Sequence, residues 1–259
     1  MEEVPVLSYR KNKIIGFKLE EAKKMKKGII FDKDGTLIQL DSVWYKIVDC
    51  VLRDVFQKYP NEKNKRNEYL QIIGMDNNDF ESTSLLASQT NSFIAAAWYS
   101  IVEEKNIKKG EFIHDVCASF KKHSTSDDLV FTEVQDAQET LKYLKEHDYI
   151  IGIVTADDVD AAVHSLKMTK LYEYIDFLSA EDGINKPKPS SDCYHMFKDK
   201  FLLHDEEVLM VGDTLTDIRF ARNSNIEVAG VLSGACRKED LEGKADYIID
   251  SVKDIQKIL

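Results

Sequence analysis

Residues 28–37 read Gly-Ile-Ile-Phe-Asp-Lys-Asp-Gly-Thr-Leu, and the fold expected of the whole chain is built outward from this stretch. The apolar run at its start is typical of a strand buried on both faces of a sheet. The run ends in two carboxylates at alternate positions, Asp32 and Asp34. Ligands bind at the carboxyl ends of strands in open α/β sheets, and uncompensated buried charge is costly. The two acids therefore indicate either a binding site or, since Asp and Gly favour turns, a simple turn.

Length and composition restrict the class of protein. The chain has 259 residues, of which 43% are hydrophobic and 31% charged, as in an ordinary soluble protein with one large α/β domain or a core domain that carries a smaller one. The formal net charge of -11 argues against nucleic-acid and anionic-membrane partners, because the field of the protein would repel them. It is compatible with a small phosphorylated substrate.

The cysteines and histidines give no metal-binding pattern. The four cysteines are widely spaced without a CxxC motif, and the six histidines contain no HxxxH pair, so a zinc site is not expected. Reduced thiols fit a cytosolic protein. We find no apolar stretch of the length needed for a signal peptide or a transmembrane helix, and we predict a cytoplasmic location.

A helical block separates the opening strand from the rest of the chain. Residues 1–27 are predicted to form an extension of two short strands and a helix, with a role in packing. Residues 41–123 show almost no strand pattern, and apolar residues between 43 and 56 recur at helical spacing. A helical insertion of this size is predicted to be a domain of its own.

The remainder alternates between strands and helices. The chain returns to an alternating pattern around residues 127–131, and strands are predicted at residues 149–154, 175–178, 207–211, 226–232 and 247–249. Thr132 and Gln135 suggest a capping box that opens a helix, and Asp157 or Asp158 is expected to cap the next one. This alternation predicts an α/β fold with a doubly wound parallel sheet, formed by residues 28–40 and 124–259.

Polar groups follow four of the predicted strands. They are Asp32 and Asp34, Thr155, Lys186, and Asp213 with Asp217. Taken singly, each has an ordinary explanation as a helix cap, a solvated loop charge or a turn residue. In this order, however, they resemble the motifs of the haloacid dehalogenase-like superfamily. The matching segments are Asp-Lys-Asp-Gly-Thr at residues 32–36, Thr155, Lys186-Pro187, and Gly-Asp-Thr-Leu-Thr-Asp at residues 212–217. The resemblance extends from residue 28 to about residue 249, and the helical insertion is similar to that family's C1 cap over a Rossmann-like core.

The resemblance implies a phosphoryl-transfer site. Asp32 would attack phosphorus and form an aspartyl-phosphate, and Asp34 would protonate the leaving alcohol and then activate water. Mg²⁺, which prefers oxygen ligands, would be held by Asp32, the backbone carbonyl of Asp34 and Asp213. Asp217 would support the metal from behind these ligands.

Two further residues are implied to contact the transferring phosphoryl group. Thr155 would donate a hydrogen bond to it, and Lys186 would supply positive charge. Lys188 is a rival for the second role, but the family pattern favours the lysine of the first Lys-Pro pair. Dehalogenases and phosphonatases of this family lack an acid at the position of Asp34. The presence of Asp34 therefore favours phosphate-ester hydrolysis.

The sequence thus predicts a Mg²⁺-dependent phosphatase that acts on a small phosphorylated metabolite, with phosphoglycolate or a sugar phosphate as the nearest guess. Two alternatives stay open. One is a phosphomutase similar to β-phosphoglucomutase, and the other is a phosphoacceptor signalling protein without turnover. The substrate, the oligomeric state and the cap residues that set specificity are left undecided by the sequence.

Overall fold

A six-stranded parallel sheet lies at the centre of the computed structural model, which describes residues 26–76, 79–80, 84–104 and 106–259. In chain order the strands are β1 (Gly28–Phe31), β2 (Met75–Asp76), β3 (Asp79–Phe80), β4 (Ile150–Asp158), β5 (Phe177–Glu181), β6 (Val208–Gly212), β7 (Glu227–Val231) and β8 (Tyr247–Ile249). The central sheet has the order β5-β4-β1-β6-β7-β8, and all its neighbours pair in parallel. The predicted doubly wound α/β architecture is confirmed.

Ten α-helices accompany the strands in the described part of the chain. They are α1 (Asp41–Lys58), α2 (Arg66–Ile72), α3 (Leu85–Ser88), α4 (Asn91–Tyr99), α5 (Lys109–Ser124), α6 (Ala137–Glu146), α7 (Val159–Met168), α8 (Asp192–Phe201), α9 (Leu215–Asn223) and α10 (Lys238–Leu241). Among these described helices, none is long and apolar enough to cross a membrane.

The opening strand β1 lies between β4 and β6, buried along its whole length. Ile29 and Phe31 face one apolar cluster and Ile30 faces the other, so both faces of the sheet are covered, as expected for a continuous apolar run. Phe31 is in register with Ile153 on one side and Val211 on the other. The carboxyl ends of three strands therefore meet at one point.

The helices α1 to α5 and the small β2–β3 hairpin form a helical block with an apolar core of its own. The apolar stripe predicted on α1 is confirmed, because Val43, Ile47, Val51 and Val55 are buried in this core. Trp98 is fully buried there, and its indole N–H donates to the carbonyl oxygen of Tyr69 at 2.7 Å. The hairpin was not anticipated from the sequence.

The segment that returns from the helical block to the sheet differs from the prediction. The alternating pattern around residues 127–131 forms no strand in this described segment, and the helix expected to open at Thr132 begins at Ala137. The backbone of residues 132–134 is used elsewhere, since Gln39 N–H donates to the Thr132 carbonyl and Val134 N–H to the Leu37 carbonyl. The prediction of a capping box at Thr132 and Gln135 was therefore wrong. The two strands and most of the helix predicted within residues 1–27 lie outside the described residues.

Candidate active site

Asp32 continues directly from β1 and is buried beside a lysine from a distant loop. Its backbone N–H donates to the Val211 carbonyl at 2.9 Å, which keeps it in the line of the sheet. Its Oδ1 atom lies 2.7 Å from Nζ of Lys188, and the same ammonium lies 2.6 Å from Oδ1 of Asp217. All three side chains are buried. The lysine thus bridges the first and the last acidic motif.

The lysine at this place is Lys188 and not the predicted Lys186. Lys186 is exposed to solvent, whereas Lys188 is buried and ion-paired with both acids. The prediction chose the first of two consecutive Lys-Pro pairs, which are locally identical. The path of the loop decides between them, and it turns the second lysine inward. The prediction for Lys186 therefore conflicts with the geometry.

Asp213 follows β6 and is completely buried at 0% exposure. Its Oδ1 atom accepts a hydrogen bond from the Thr36 hydroxyl at 3.0 Å, and its Oδ2 atom accepts one from the Ala235 N–H at 2.8 Å. A Cβ atom at Gly234 would lie 2.0 Å from Oδ2, so only glycine lets the loop after β7 approach so closely. Sequence reasoning missed this loop, although a Ser-Gly pair directly after a predicted strand was a usable signal.

Asp217 is fixed at the start of α9 by a capping box. Its Oδ2 atom accepts from the Thr214 N–H at 3.0 Å and from the Thr214 hydroxyl at 2.6 Å. Its other oxygen is the one that meets Lys188. The spacing of Asp213 and Asp217 in the last motif is therefore explained by their places: Asp213 directly follows a strand, and Asp217 belongs to the capping box of the next helix.

The acids Asp32, Asp213 and Asp217 converge, with carboxylate oxygens within 4.8 Å of one another. Burial raises the pKa of Asp32 to about 7, although Lys188 acts in the opposite direction. Burial also raises the pKa of Asp213 well above its ordinary value, and the charges of Asp32 and Asp217 add to this. Three buried acids beside one ammonium leave negative charge uncompensated. A hard divalent cation with a preference for oxygen, such as Mg²⁺, fits this set of donors.

Asp34 lies at the mouth of the site, with its side chain 14% exposed, and is ion-paired with its neighbour in sequence. The ammonium of Lys33 is 2.7 Å from Asp34 Oδ1 and 3.2 Å from Asp157 Oδ2. The alternative caps predicted for the following helix are resolved, because Asp158 caps α7 by accepting from the Asp160 N–H. Asp157 is buried and belongs to the site instead.

Thr155 lies in β4 and is buried beside Asp32. Its hydroxyl oxygen accepts a hydrogen bond from the Asp157 N–H at 3.2 Å. Because a hydroxyl both accepts and donates, Thr155 retains a proton to donate to a bound group. The structure thus brings together all the predicted site residues except Lys186.

A small cavity lies between the strand ends and the helical block. Its floor includes Asp32, Asp34, Asp157, Thr155 and Lys188. Its roof is formed by residues of the helical block that include Trp44, Leu86, Gln89, Asn91 and Ile94. The open space is about 20 Å³, which is room for roughly one water molecule. The roof combines apolar surface with two amide side chains.

Comparison with known proteins agrees with this geometry. The family model described as haloacid dehalogenase-like hydrolase matches residues 29–231. The chain is 27% identical over 234 residues to the pyrophosphatase PpaX of Bacillus cereus (strain B4264), with 89% of this chain and 95% of that protein covered.

Two solved structures show the same fold. One is CbbY from Rhodobacter sphaeroides in complex with phosphate, with a TM-score of 0.67, 16% identity, and coverage of 89% of this chain and 96% of that one. The other is described as a predicted phosphoglycolate phosphatase from Haemophilus somnus, with a TM-score of 0.64, 21% identity, and coverage of 90% and 97%.

Proposed function

Because the chain belongs to the haloacid dehalogenase-like hydrolases, we propose that it is a Mg²⁺-dependent phosphatase of a small phosphorylated metabolite, with an aspartyl-phosphate on Asp32 as its intermediate. The observation that carries the proposal is the convergence of Asp32, Asp213 and Asp217 around Lys188 at the carboxyl end of the sheet. The relative PpaX is a pyrophosphatase, and pyrophosphate is one candidate substrate beside phosphate esters.

In the first step a carboxylate oxygen of Asp32 attacks phosphorus, and the bond from phosphorus to the leaving oxygen breaks. Asp34, at the mouth of the site, gives its proton to that oxygen, so that a neutral alcohol departs. Lys188 and the Thr155 hydroxyl face the cavity and are placed to donate to the phosphoryl oxygens. Lys188 takes the role that the sequence prediction gave to Lys186.

In the second step water attacks the phosphorus of the aspartyl-phosphate. Asp34, now a carboxylate, takes a proton from the water, and the bond from phosphorus to Asp32 breaks. Phosphate is released, and both acids return to their starting states. A single acid–base residue serves both steps because the leaving alcohol and the incoming water occupy the same side of phosphorus.

The metal would be held by the side chains of Asp32 and Asp213 together with the backbone carbonyl of Asp34. When bound, Mg²⁺ supplies positive charge that offsets the repulsion between these acids and the phosphate oxygens. Thr36 and the Ala235 N–H hold Asp213 ready for this role, with one hydrogen bond to each of its oxygens. Asp217 holds Lys188 in place from behind.

We further propose that residues 41–123 act as a mobile cap on a core of residues 28–40 and 124–259. A cavity of about 20 Å³ is too small for a phosphate ester, so the cap must move away to admit one. Among the described residues, polar contacts between the cap and the core include Lys121 Nζ at 2.5 Å from Asp160 and the Ser92 hydroxyl at 3.4 Å from Glu181. The Lys46 ammonium also donates to the Asp128 carbonyl oxygen at 3.0 Å.

Specificity is then set by the roof of the cavity. Gln89 and Asn91 offer amide donors and acceptors, and Trp44 offers apolar surface, to the part of the substrate that leaves with the alcohol oxygen. Substitution of Gln89 by Leu should change the relative rates among substrates and leave the metal requirement unchanged. Unchanged relative rates in this and the Asn91→Leu variant would count against the roof as the specificity element.

The experiment that tests the proposal is a screen of phosphorylated metabolites, pyrophosphate and nitrophenyl phosphate, scored for free phosphate. We expect release in Mg²⁺, loss of release in excess EDTA, and recovery when Mg²⁺ is added back. Asp32→Asn should be inactive on every substrate. Turnover in EDTA, or an isomeric sugar phosphate without free phosphate, would overturn the proposal, and the second result would identify a phosphomutase.

A further inference from the structure

Lys33 stands between the two acids of the opening stretch, and the proposed chemistry does not use it. Its side chain is 1% exposed, which makes it one of the most deeply buried side chains described. Its ammonium contacts Asp34 Oδ1 at 2.7 Å and Asp157 Oδ2 at 3.2 Å. The neighbouring Asp34 and Asp157 line the cavity, so the charge of Lys33 lies behind the wall that the two acids form.

The backbone around Lys33 is tightly held. The N–H groups of Leu37 and Ile38 both donate to the Lys33 carbonyl oxygen, at 2.9 and 3.0 Å. The turn fixes the position of the Lys33 backbone, and the two ion pairs fix the position of its ammonium group. Such a side chain can hold another group in place, because its own freedom is already lost.

We propose that Lys33 is a positioning residue for Asp34. By binding Oδ1, it fixes the orientation of the Asp34 carboxyl group and leaves Oδ2 to exchange a proton with the leaving alcohol and the attacking water. By binding Asp157 as well, it ties Asp34 to the segment of β4 that carries Thr155, since the Asp157 N–H donates to the Thr155 hydroxyl. The acid–base group and the phosphoryl-binding hydroxyl thus share one anchor.

The inference rests on the proposed function, because it assigns Asp34 the acid–base role. A merely structural role for Lys33 would be charge neutralisation. Burial lowers the pKa of its ammonium, but Asp34 and Asp157 outweigh burial and raise it above its ordinary value. The lysine therefore remains charged, and its removal would leave buried Asp157 without a cation, which is costly for stability. The two roles make different predictions.

The experiment compares an alkyl phosphate, whose leaving group needs a proton, with nitrophenyl phosphate, whose leaving group does not. In Lys33→Met, we expect the ratio of kcat/KM for the alkyl ester to that for the nitrophenyl ester to fall by about 10-fold or more. The upper bound is the roughly 10²–10⁴-fold that acid–base catalysis as a whole contributes. The Asp157→Asn/Lys33→Met double variant serves as the matched control, because it removes the buried acid that the missing lysine would have neutralised.

Under the positioning role, the double variant regains thermal stability but keeps the lowered ratio. In an Asp34→Asn background, Lys33→Met should then change the ratio no further, because both substitutions act through one group. A double variant with the wild-type ratio, or a wild-type ratio in a folded Lys33→Met, would overturn the inference. Absence of phosphate release by the wild-type protein from every compound of the metabolite screen is a separate result, which overturns the proposed function and this role with it.

Discussion

The substitution Asp32→Asn should make the metal-free protein more stable while it destroys activity. Burial raises the pKa of Asp32 from 3.8 to about 7 in the folded protein. Because the folded pKa lies above the unfolded one, stability is lost as the pH rises from about 4 to above 7. At 1.36 kcal/mol per unit, the loss at pH 8 is at most roughly 4 kcal/mol.

Asparagine is neutral at every pH and removes this loss. Its amide oxygen can still accept from Lys188, which also keeps its pair with Asp217. Part of this gain in stability is offset by the weaker interaction of the amide with Lys188. We therefore expect the free energy of unfolding at pH 8 to rise by about 1–4 kcal/mol. In a protein of this size that corresponds to a rise in Tm of several degrees, at about 2–4 °C for each kcal/mol.

The assay is thermal unfolding followed by circular dichroism in EDTA, at pH 8 and at pH 5. The variant should melt above the wild type at pH 8, and the difference should shrink at pH 5. Mg²⁺ at one hundred times its Kd should stabilise the wild type by roughly 3 kcal/mol, and it should stabilise the variant by less. A suitable control is Asp54→Asn, since hydrogen bonds from His123 and Lys122 outweigh burial and lower the pKa of Asp54, so its loss should not stabilise. An Asp32→Asn variant that melts at or below the wild type in EDTA at pH 8 would refute the reasoning.

Three further predictions concern single residues, each checked by steady-state kinetics in Mg²⁺. Lys188→Met should lower kcat by about 10²–10³-fold, as expected for a lost charge at a phosphoryl group, and Lys186→Met should stay near wild type; equal losses would restore Lys186 to the site. Asp34→Asn should lose about 10²–10⁴-fold on alkyl phosphates and less on nitrophenyl phosphate, and an equal loss on both would remove its acid role. Gly234→Ala should displace Asp213 and cost about 10²-fold, with a higher Mg²⁺ requirement, and wild-type kinetics would contradict the close approach.

The sheet and most of the site could be predicted because their signals are local. The buried run of β1 carries its acids within three positions, and the last motif combines a strand end with a capped helix. Lys188 could not be chosen over Lys186, because the two Lys-Pro pairs are alike and only the path of the loop buries one of them.

Other features depend on contacts between distant parts of the chain. Asp213 is held by Ala235, which lies on a loop after a different strand. Thr132 was expected to cap a helix, but its carbonyl oxygen accepts instead from Gln39, near the end of the first motif. Lysine is usually exposed to solvent, so nothing in the sequence indicated that Lys33 is buried. Its burial depends on an ion pair with Asp157, which is far away in sequence.

The central claim is that Asp32 carries the phosphoryl group during turnover, and trapping that group tests it most directly. Wild-type protein is quenched during hydrolysis of a phosphate ester in Mg²⁺, the acyl-phosphate is reduced with borohydride, and the peptides are sequenced by mass spectrometry. We predict homoserine at position 32 in the wild type and none in Asp32→Asn or in EDTA. Steady phosphate release without homoserine at this position, or with the modification at another acid, would contradict the account.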